Sequence, residues 1–302
     1  MAQWTGVAGK QVLITGATRG IGLAAVQALA EKGARLAIVA RSDTRAAEAS
    51  ERIARASQAG WGPAAPVDVL VADLASQASV RRLAAEVLER YPRLDVLINN
   101  AGAVHRDRQL TEDGIELTWA VNQVAPFLLT TLLLGRLEQS APARIVTTSS
   151  DAHRGAHIPF DDLDAEDLYR RRSSRVAAGF ARYGQTKLAN ILLTAELARR
   201  LEGTSVTANC FHPGLVATGF NRNNGTLMSL AMTLIRPFTR TPKKGAETLV
   251  WLADSPDPAG EQGGYFVDKR RVAPSAEAQD SDAARRLWAI TEEQVRQSAA
   301  AR

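Results

Sequence analysis

Tyr183 and Lys187 stand four residues apart in Tyr183-Gly184-Gln185-Thr186-Lys187, and a helix would stack them one turn apart on the same face. A phenol with a pKa near 10 is a poor base at neutral pH, and a neighbouring ammonium lowers that pKa by stabilising the phenolate. The pair could therefore exchange a proton with a substrate oxygen. The same spacing recurs at Tyr265 and Lys269, in a segment that reads as a strand running into a loop. Four residues of strand span about 13 Å against about 6 Å of helix, so this second pair could not cooperate. Ser149 and Ser150 follow the apolar run 143–148, at the strand end where parallel sheets bind ligands.

A second stretch with chemical potential lies near the N-terminus. Thr15-Gly16-Ala17-Thr18-Arg19-Gly20-Ile21-Gly22 joins a strand-like segment to a helical one. Such a turn brings free N–H groups and the positive end of a helix dipole to one point, which suits a pyrophosphate, and glycine lets the backbone approach it. An NAD site would carry a carboxylate at the end of the next strand to bind ribose hydroxyls. Here the chain reads Val39-Ala40-Arg41-Ser42. Arg41 lies 19 residues after Gly22, near the expected offset of about 20. A guanidinium matches a 2′-phosphate in charge and fork geometry, and Arg19 could approach from the other side. NADP(H) is the expected cofactor, with NAD(H) second.

These residues need a frame. Short apolar runs alternate with segments of helical period, the pattern of βαβ units and a parallel sheet. Strands are expected at 11–15, 35–40, 66–72, 94–99, 143–148, 205–211 and 264–267, and helices at 21–32, 44–58, 76–90, 111–137 and 180–201. Strands that are apolar throughout are those covered by helices on both faces. With no repeat and no long linker, residues 1–302 read as a single-domain α/β Rossmann fold, a doubly wound parallel sheet of about seven strands. Its ends are expected to be mobile before residue 7 and after residue 297.

The composition, 45% apolar and 23% charged, excludes disorder of the whole chain. One cysteine, Cys210, forms no internal disulfide and suits a cytoplasmic location. No run approaches the roughly 18 consecutive apolar residues of a membrane span, and residues 1–10 do not read as a signal peptide, so no stable membrane insertion is expected. The net charge of +5 raises nucleic acid as a partner. The charge is spread, however, and its one cluster, Arg170, Arg171, Arg172 and Arg175, reads as a solvated loop. His153 and His157 have the spacing of helical metal ligands, but Gly155 and Pro159 oppose a helix, and no metal site is expected. Ser150 with His212 could suggest a hydrolase, yet no G-x-S-x-G turn is present.

The ordered set of motifs resembles the short-chain dehydrogenase/reductase family, from about residue 11 to residue 267. The glycine turn has that family's T-G-x-x-x-G-x-G spacing, Asn99-Asn100-Ala101-Gly102 looks like its N-N-A-G, and Tyr183-x-x-x-Lys187 falls in the matching place. The resemblance implies that Ser150, the second of the serine pair, is catalytic with Tyr183 and Lys187. It also implies that Asn122 is a fourth catalytic residue, which orders a water in a proton relay. It assigns Gly16, Thr18, Arg19, Gly20, Ile21, Gly22, Asn100, Ala101 and Gly102 to the cofactor, with Asp73 and Leu74 at the adenine. It places Pro213, Gly214, Val216 and Thr218 at the nicotinamide, and Lys187 at its ribose. The implied chemistry transfers hydride to a carbonyl carbon while Tyr183 protonates the oxygen and Ser150 holds it.

Ser150 and Tyr183 are 33 residues apart, much farther than in compact members, so an insertion is expected at about 153–179. The chain resembles most closely the retinol dehydrogenase and WW-domain oxidoreductase branch, through Ser149-Ser150-Asp151-Ala152-His153, Lys187-Leu188-Ala189-Asn190-Ile191-Leu192, His212-Pro213-Gly214 and Gly264-Tyr265-Phe266-Val267-Asp268. No N-terminal anchor of the kind found in membrane-bound retinol dehydrogenases is expected. Segment 219–242, with Phe220 and apolar residues at helical spacing, is expected to form a lid over a lipophilic ketone, aldehyde or secondary alcohol. Substrate contacts are expected from Ser150, Tyr183 and Phe220. A homodimer or homotetramer through the two long central helices is implied by the resemblance, unless the insertion blocks that surface. The alternative reading is a non-catalytic NADP-binding sensor or scaffold.

Overall fold

The computed structural model describes residues 4–58, 67–172, 174–216 and 239–300. The apolar runs become β1 (Gln11–Thr15), β2 (Arg35–Ala40), β3 (Val67–Val71), β4 (Val96–Asn99), β5 (Ala143–Thr148), β6 (Val206–Phe211) and β7 (Tyr265–Val267). They lie in the order β3-β2-β1-β4-β5-β6-β7, all parallel. An eighth strand, β8 (Arg270–Arg271), pairs antiparallel with β7, so the sheet has eight strands where about seven were expected. Two exposed arginines carry no apolar signal, and only the turn after β7 makes them a strand.

The pleat divides the core. Leu13 of β1 points to one face with Leu97 and Ile145, while Val12 and Ile14 point to the other with Ile38 and Val146. The first face is covered by α3 (Gln77–Arg90), the long helix α4 (Leu117–Gln139) and α6 (Arg175–Arg200). The second is covered by α1 (Gly20–Glu31) and α7 (Pro242–Asp254), with α2 (Asp43–Gln58) beside β2 and β3. Between α4 and α6 in sequence lies a short helix, α5 (Glu166–Arg171), and the chain closes with α8 (Ser281–Ala300). By length and composition α4 could cross a membrane, but two-thirds of its apolar window is buried in this core.

Several expected boundaries shift for local reasons. Helix α4 was expected from residue 111 and begins at Leu117, because the Glu116 carboxylate caps it by accepting from the Thr118 and Trp119 amides. Its second turn, Ala120–Val124, is π-helical. Helix α6 was expected from residue 180 and starts at Arg175, capped by the Ser174 hydroxyl. The N-terminal end is tied down from residue 4 rather than mobile. Trp4 is buried, and its Nε1 donates to the Asp254 carbonyl at 2.9 Å.

Candidate active site

The strand order reverses between β1 and β4, where ligands settle in open α/β sheets. Polar side chains stitch the strand ends together there. Thr15 Oγ1 accepts from the Asn100 and Ala101 amides, at 3.0 and 3.1 Å. Asn100 Nδ2 donates to the Thr15 and Gly16 carbonyls, and its Oδ1 accepts from the Thr148 hydroxyl. Gly16 sits at φ +66°, and a Cβ on it would lie 2.6 Å from Ala101 Cα. This is a cradle that side chains would fill.

Above the strand ends opens a cavity of about 780 Å³. Its lining includes nearly every residue expected from sequence: Gly16, Thr18, Arg19, Gly20, Ile21 and Gly22 at the glycine turn, then Arg41, Asp73 and Leu74. It continues through Asn100, Ala101 and Gly102 to Ser150, Tyr183 and Lys187, and ends at Pro213, Gly214 and Val216. Arg41 extends from the end of β2 with its side chain largely exposed, its Nε 3.7 Å from a carboxylate oxygen of Asp73. The cradle, the volume of the cavity and the arginines Arg19 and Arg41 in its lining fit a nicotinamide dinucleotide. Thr218, Phe220 and most of the expected lid lie outside the described residues.

Helix α6 carries Tyr183 and Lys187 on one face, as their spacing required, and the Lys187 ammonium stands 5.4 Å from the Tyr183 ring centre. Lys187 Nζ donates to the Thr148 carbonyl at 2.9 Å. Burial brings its pKa down to about 7. Burial also pushes the Tyr183 phenol up to about 12, partly offset by a hydrogen bond with Ser150. The two serines separate cleanly. Both border the cavity, but Ser149 is buried and its hydroxyl donates to the Lys187 carbonyl at 2.9 Å, whereas Ser150 is less buried and its hydroxyl bonds with Tyr183. Gly184 explains how closely the pieces meet: a Cβ on it would lie 2.6 Å from the Ala152 carbonyl, in the turn that follows Ser150. In the other Tyr-x-x-x-Lys pair, Tyr265 is buried in β7 while Lys269 pairs with Glu247 at the surface.

Asn122 sits in the π-helical turn behind the cavity wall, buried and outside its lining. Its Oδ1 accepts from the Ala103 amide at 2.8 Å, and its Nδ2 donates to the Ala103 carbonyl and to Thr186 Oγ1. It thus ties the segment after Asn-Asn-Ala-Gly to the helix that carries Tyr183. His153 is buried as well: its Nδ1 donates to the Ser150 carbonyl at 2.7 Å and its Nε2 accepts from the Ser275 amide at 3.1 Å.

Residues 153–172 and the start of α6 fold onto the loop after β4. Tyr169 donates its hydroxyl to the His105 carbonyl, Arg108 donates to the Asp164 carbonyl, and Arg175 pairs with Asp107. Arg170 and Arg171 both pair with Asp167 at the surface, exposed as expected but on helix α5 and not in a loop. Phe180, at the insertion's end, lines the cavity with Leu117, Val121 and Leu215. None of these four was expected from sequence. Leu117 and Val121 share an apolar period with the core, so only the strand order reveals that their face meets the cavity. His105 and His212 also line it.

A sequence profile described as short chain dehydrogenase matches residues 10–159. Mouse retinol dehydrogenase 14 is 44% identical over 95% of this chain and 86% of its own. A Streptomyces protein described as a candidate daunorubicin C-13 ketoreductase is 41% identical over 94% of this chain and 91% of its own. Among solved structures, the Pseudomonas aeruginosa RhlG/NADP active-site complex superposes with a TM-score of 0.66 at 29% identity, covering 88% of this chain and 97% of that one.

Proposed function

Since the chain belongs to the short-chain dehydrogenase family and is an oxidoreductase acting on CH–OH groups, we propose that it is an NADP(H)-dependent carbonyl reductase for lipophilic ketones or aldehydes. The observation that carries this reading is one continuous cavity with Arg19 and Arg41 at one end, Ser150, Tyr183 and Lys187 at the other, and apolar walls beside them. The relatives point the same way, because retinol and an anthracycline ketone are both large and lipophilic. NADP(H) is favoured by Arg41, where NAD(H) would call for a carboxylate.

When bound, the nicotinamide supplies the hydride in reduction and accepts it in oxidation. Tyr183 would protonate the substrate oxygen as charge develops there, and Ser150 would hold that oxygen by donating its hydroxyl. With its pKa near 12, Tyr183 keeps its proton at neutral pH and so enters reduction in its acid form. Lys187, 5.4 Å from the ring, favours the phenolate left behind whenever it is charged. Asn122 holds the Ala103 backbone and α6 in register behind them.

The test is oxidation of NADPH against all-trans-retinal, daunorubicin and a set of small charged carbonyls. Turnover confined to the charged carbonyls would refute the lipophilic substrate. Arg41→Asp should shift kcat/KM toward NADH by about tenfold or more, the worth of one charge-assisted contact. An unchanged NADPH/NADH ratio would refute the NADP assignment.

A further inference from the structure

His212 follows the last residue of β6, and its ring stands between two loops of the site. Its Nδ1 accepts from the Asp151 amide at 3.2 Å and from the Gly214 amide at 3.3 Å. The first amide belongs to the turn that follows Ser150, the second to the Pro213-Gly214 loop, and both loops line the cavity with the ring itself. The ring hangs from a fixed point, because the His212 amide donates to the Phe266 carbonyl of β7 at 3.0 Å. One nitrogen lone pair thus serves two N–H donors, which requires Nδ1 to be bare and the proton to sit on Nε2.

We propose that His212 is a positioning residue: as a neutral imidazole it clamps the Ser150 turn to the Pro213-Gly214 loop and so fixes the Ser150 hydroxyl against the substrate oxygen. The inference rests on the carbonyl-reductase reading above. Protonation would aim an N–H at two N–H donors and lose both bonds. Asp151 and Asp268 favour the charged ring, and Arg240 and His153 oppose it. Burial, the largest influence, also opposes it and holds the pKa below the ordinary 6.5. The unfolded chain therefore takes up this proton first. The clamp is intact above pH 6.5 and is lost as the pH falls below 6.5 through the folded value. On its far side the turn keeps a separate tether through His153, so removing His212 loosens the site without dismantling the fold.

The experiment compares His212→Ala and His212→Asn in the full chain, with NADPH and all-trans-retinal as the assay pair. The asparagine carboxamide oxygen can accept from both amides and does not titrate. His212→Ala should lower kcat at pH 7.5 by about tenfold or more with a smaller change in KM, since a displacement near 1 Å can cost about a hundredfold. His212→Asn should recover most of that loss and lack the wild-type decline in kcat below pH 6.5. Hydrogen exchange at the Asp151 and Gly214 amides reads the clamp without turnover, and should be faster in His212→Ala and restored in His212→Asn. A wild-type protein inactive on carbonyls would refute the functional reading, while the exchange pattern would still decide the clamp. The clamp is overturned if His212→Ala keeps kcat within about twofold, if exchange is unchanged, or if His212→Asn is no better than alanine. Should His212→Ala fail to fold, an acid decline retained in His212→Asn overturns it alone.

Discussion

Burial acts in opposite directions on the two titrating members of the centre. It keeps Tyr183 protonated up to about pH 12, and it strips Lys187 of its proton near pH 7. A phenol held in its acid form suits reduction, so alcohol oxidation should rise more steeply than carbonyl reduction between pH 7 and 10; parallel profiles would contradict this. For Lys187 the folded pKa lies below the unfolded one. Its stability contribution is complete only above the unfolded value and is lost as the pH falls toward 7. Lys187→Met should therefore abolish turnover yet leave Tm at pH 7 unchanged or a few degrees higher. The Thr148 carbonyl it vacates still accepts from Asn190 Nδ2. Ser150→Ala should cut kcat about a hundredfold or more, the usual worth of one oxyanion donor, while Ser149→Ala should show in Tm rather than kcat. At this scale much was legible, because Tyr183 and Lys187 lie within one helical turn and the Ser149-Ser150 pair is fixed by the end of its strand, although only the family resemblance singled out Ser150. Asn122 and His212 were less so, since their partners at Ala103, Asp151 and Gly214 become neighbours only in the fold.

The helix that presents Tyr183 is anchored by the residue before it. Arg182 is fully buried and donates Nε to Glu116 at 2.8 Å, Nη1 to Gln185 and Nη2 to the Leu163 carbonyl of the insertion, while its guanidinium lies over the Trp119 ring. Glu116 also caps α4, so one ion pair joins the start of α4, the insertion and α6. Arg182→Met would leave the Glu116 carboxylate buried without its cation, at a cost of about 3–5 kcal/mol. Urea unfolding should show that loss, and a change below about 1 kcal/mol would mean the pair is not holding the helices together. The strands and most helices were readable from apolar period alone. The start of α4 was not, because a cap that depends on Glu116 is local but its burial depends on Arg182, 66 residues away.

At the scale of the whole molecule, α8 lies across the two long helices. Trp288 packs edge-on against Phe127 with ring centres 4.8 Å apart, Arg200 lies over the same indole, and Gln123 donates to Thr291. The faces through which pairing by the central helices was expected are here covered, in part, by the chain's own C-terminal helix. A chain ending after Gln279 should expose that apolar surface and self-associate more strongly than the full protein in sedimentation velocity. Equal sedimentation behaviour would show that α8 shields nothing. This role of 281–300 was not legible in advance, since its apolar residues are no more frequent than in the chain as a whole and acquire meaning only against Phe127 and Leu197. The glycine turn after β1, in contrast, was expected as a ligand site at a strand end, and Thr15 and Asn100 tie it to the end of β4.

The contact at Gly184 reaches beyond stability. With the Ala152 carbonyl where a methyl group would sit, α6 and the Ser150 turn meet like a mortise and its tenon. In a saturation library selected for activity, this glycine should reject even alanine and score as intolerant as Tyr183 beside it. A tolerance map read without coordinates would then credit position 184 with chemistry, when its contribution is only to leave room.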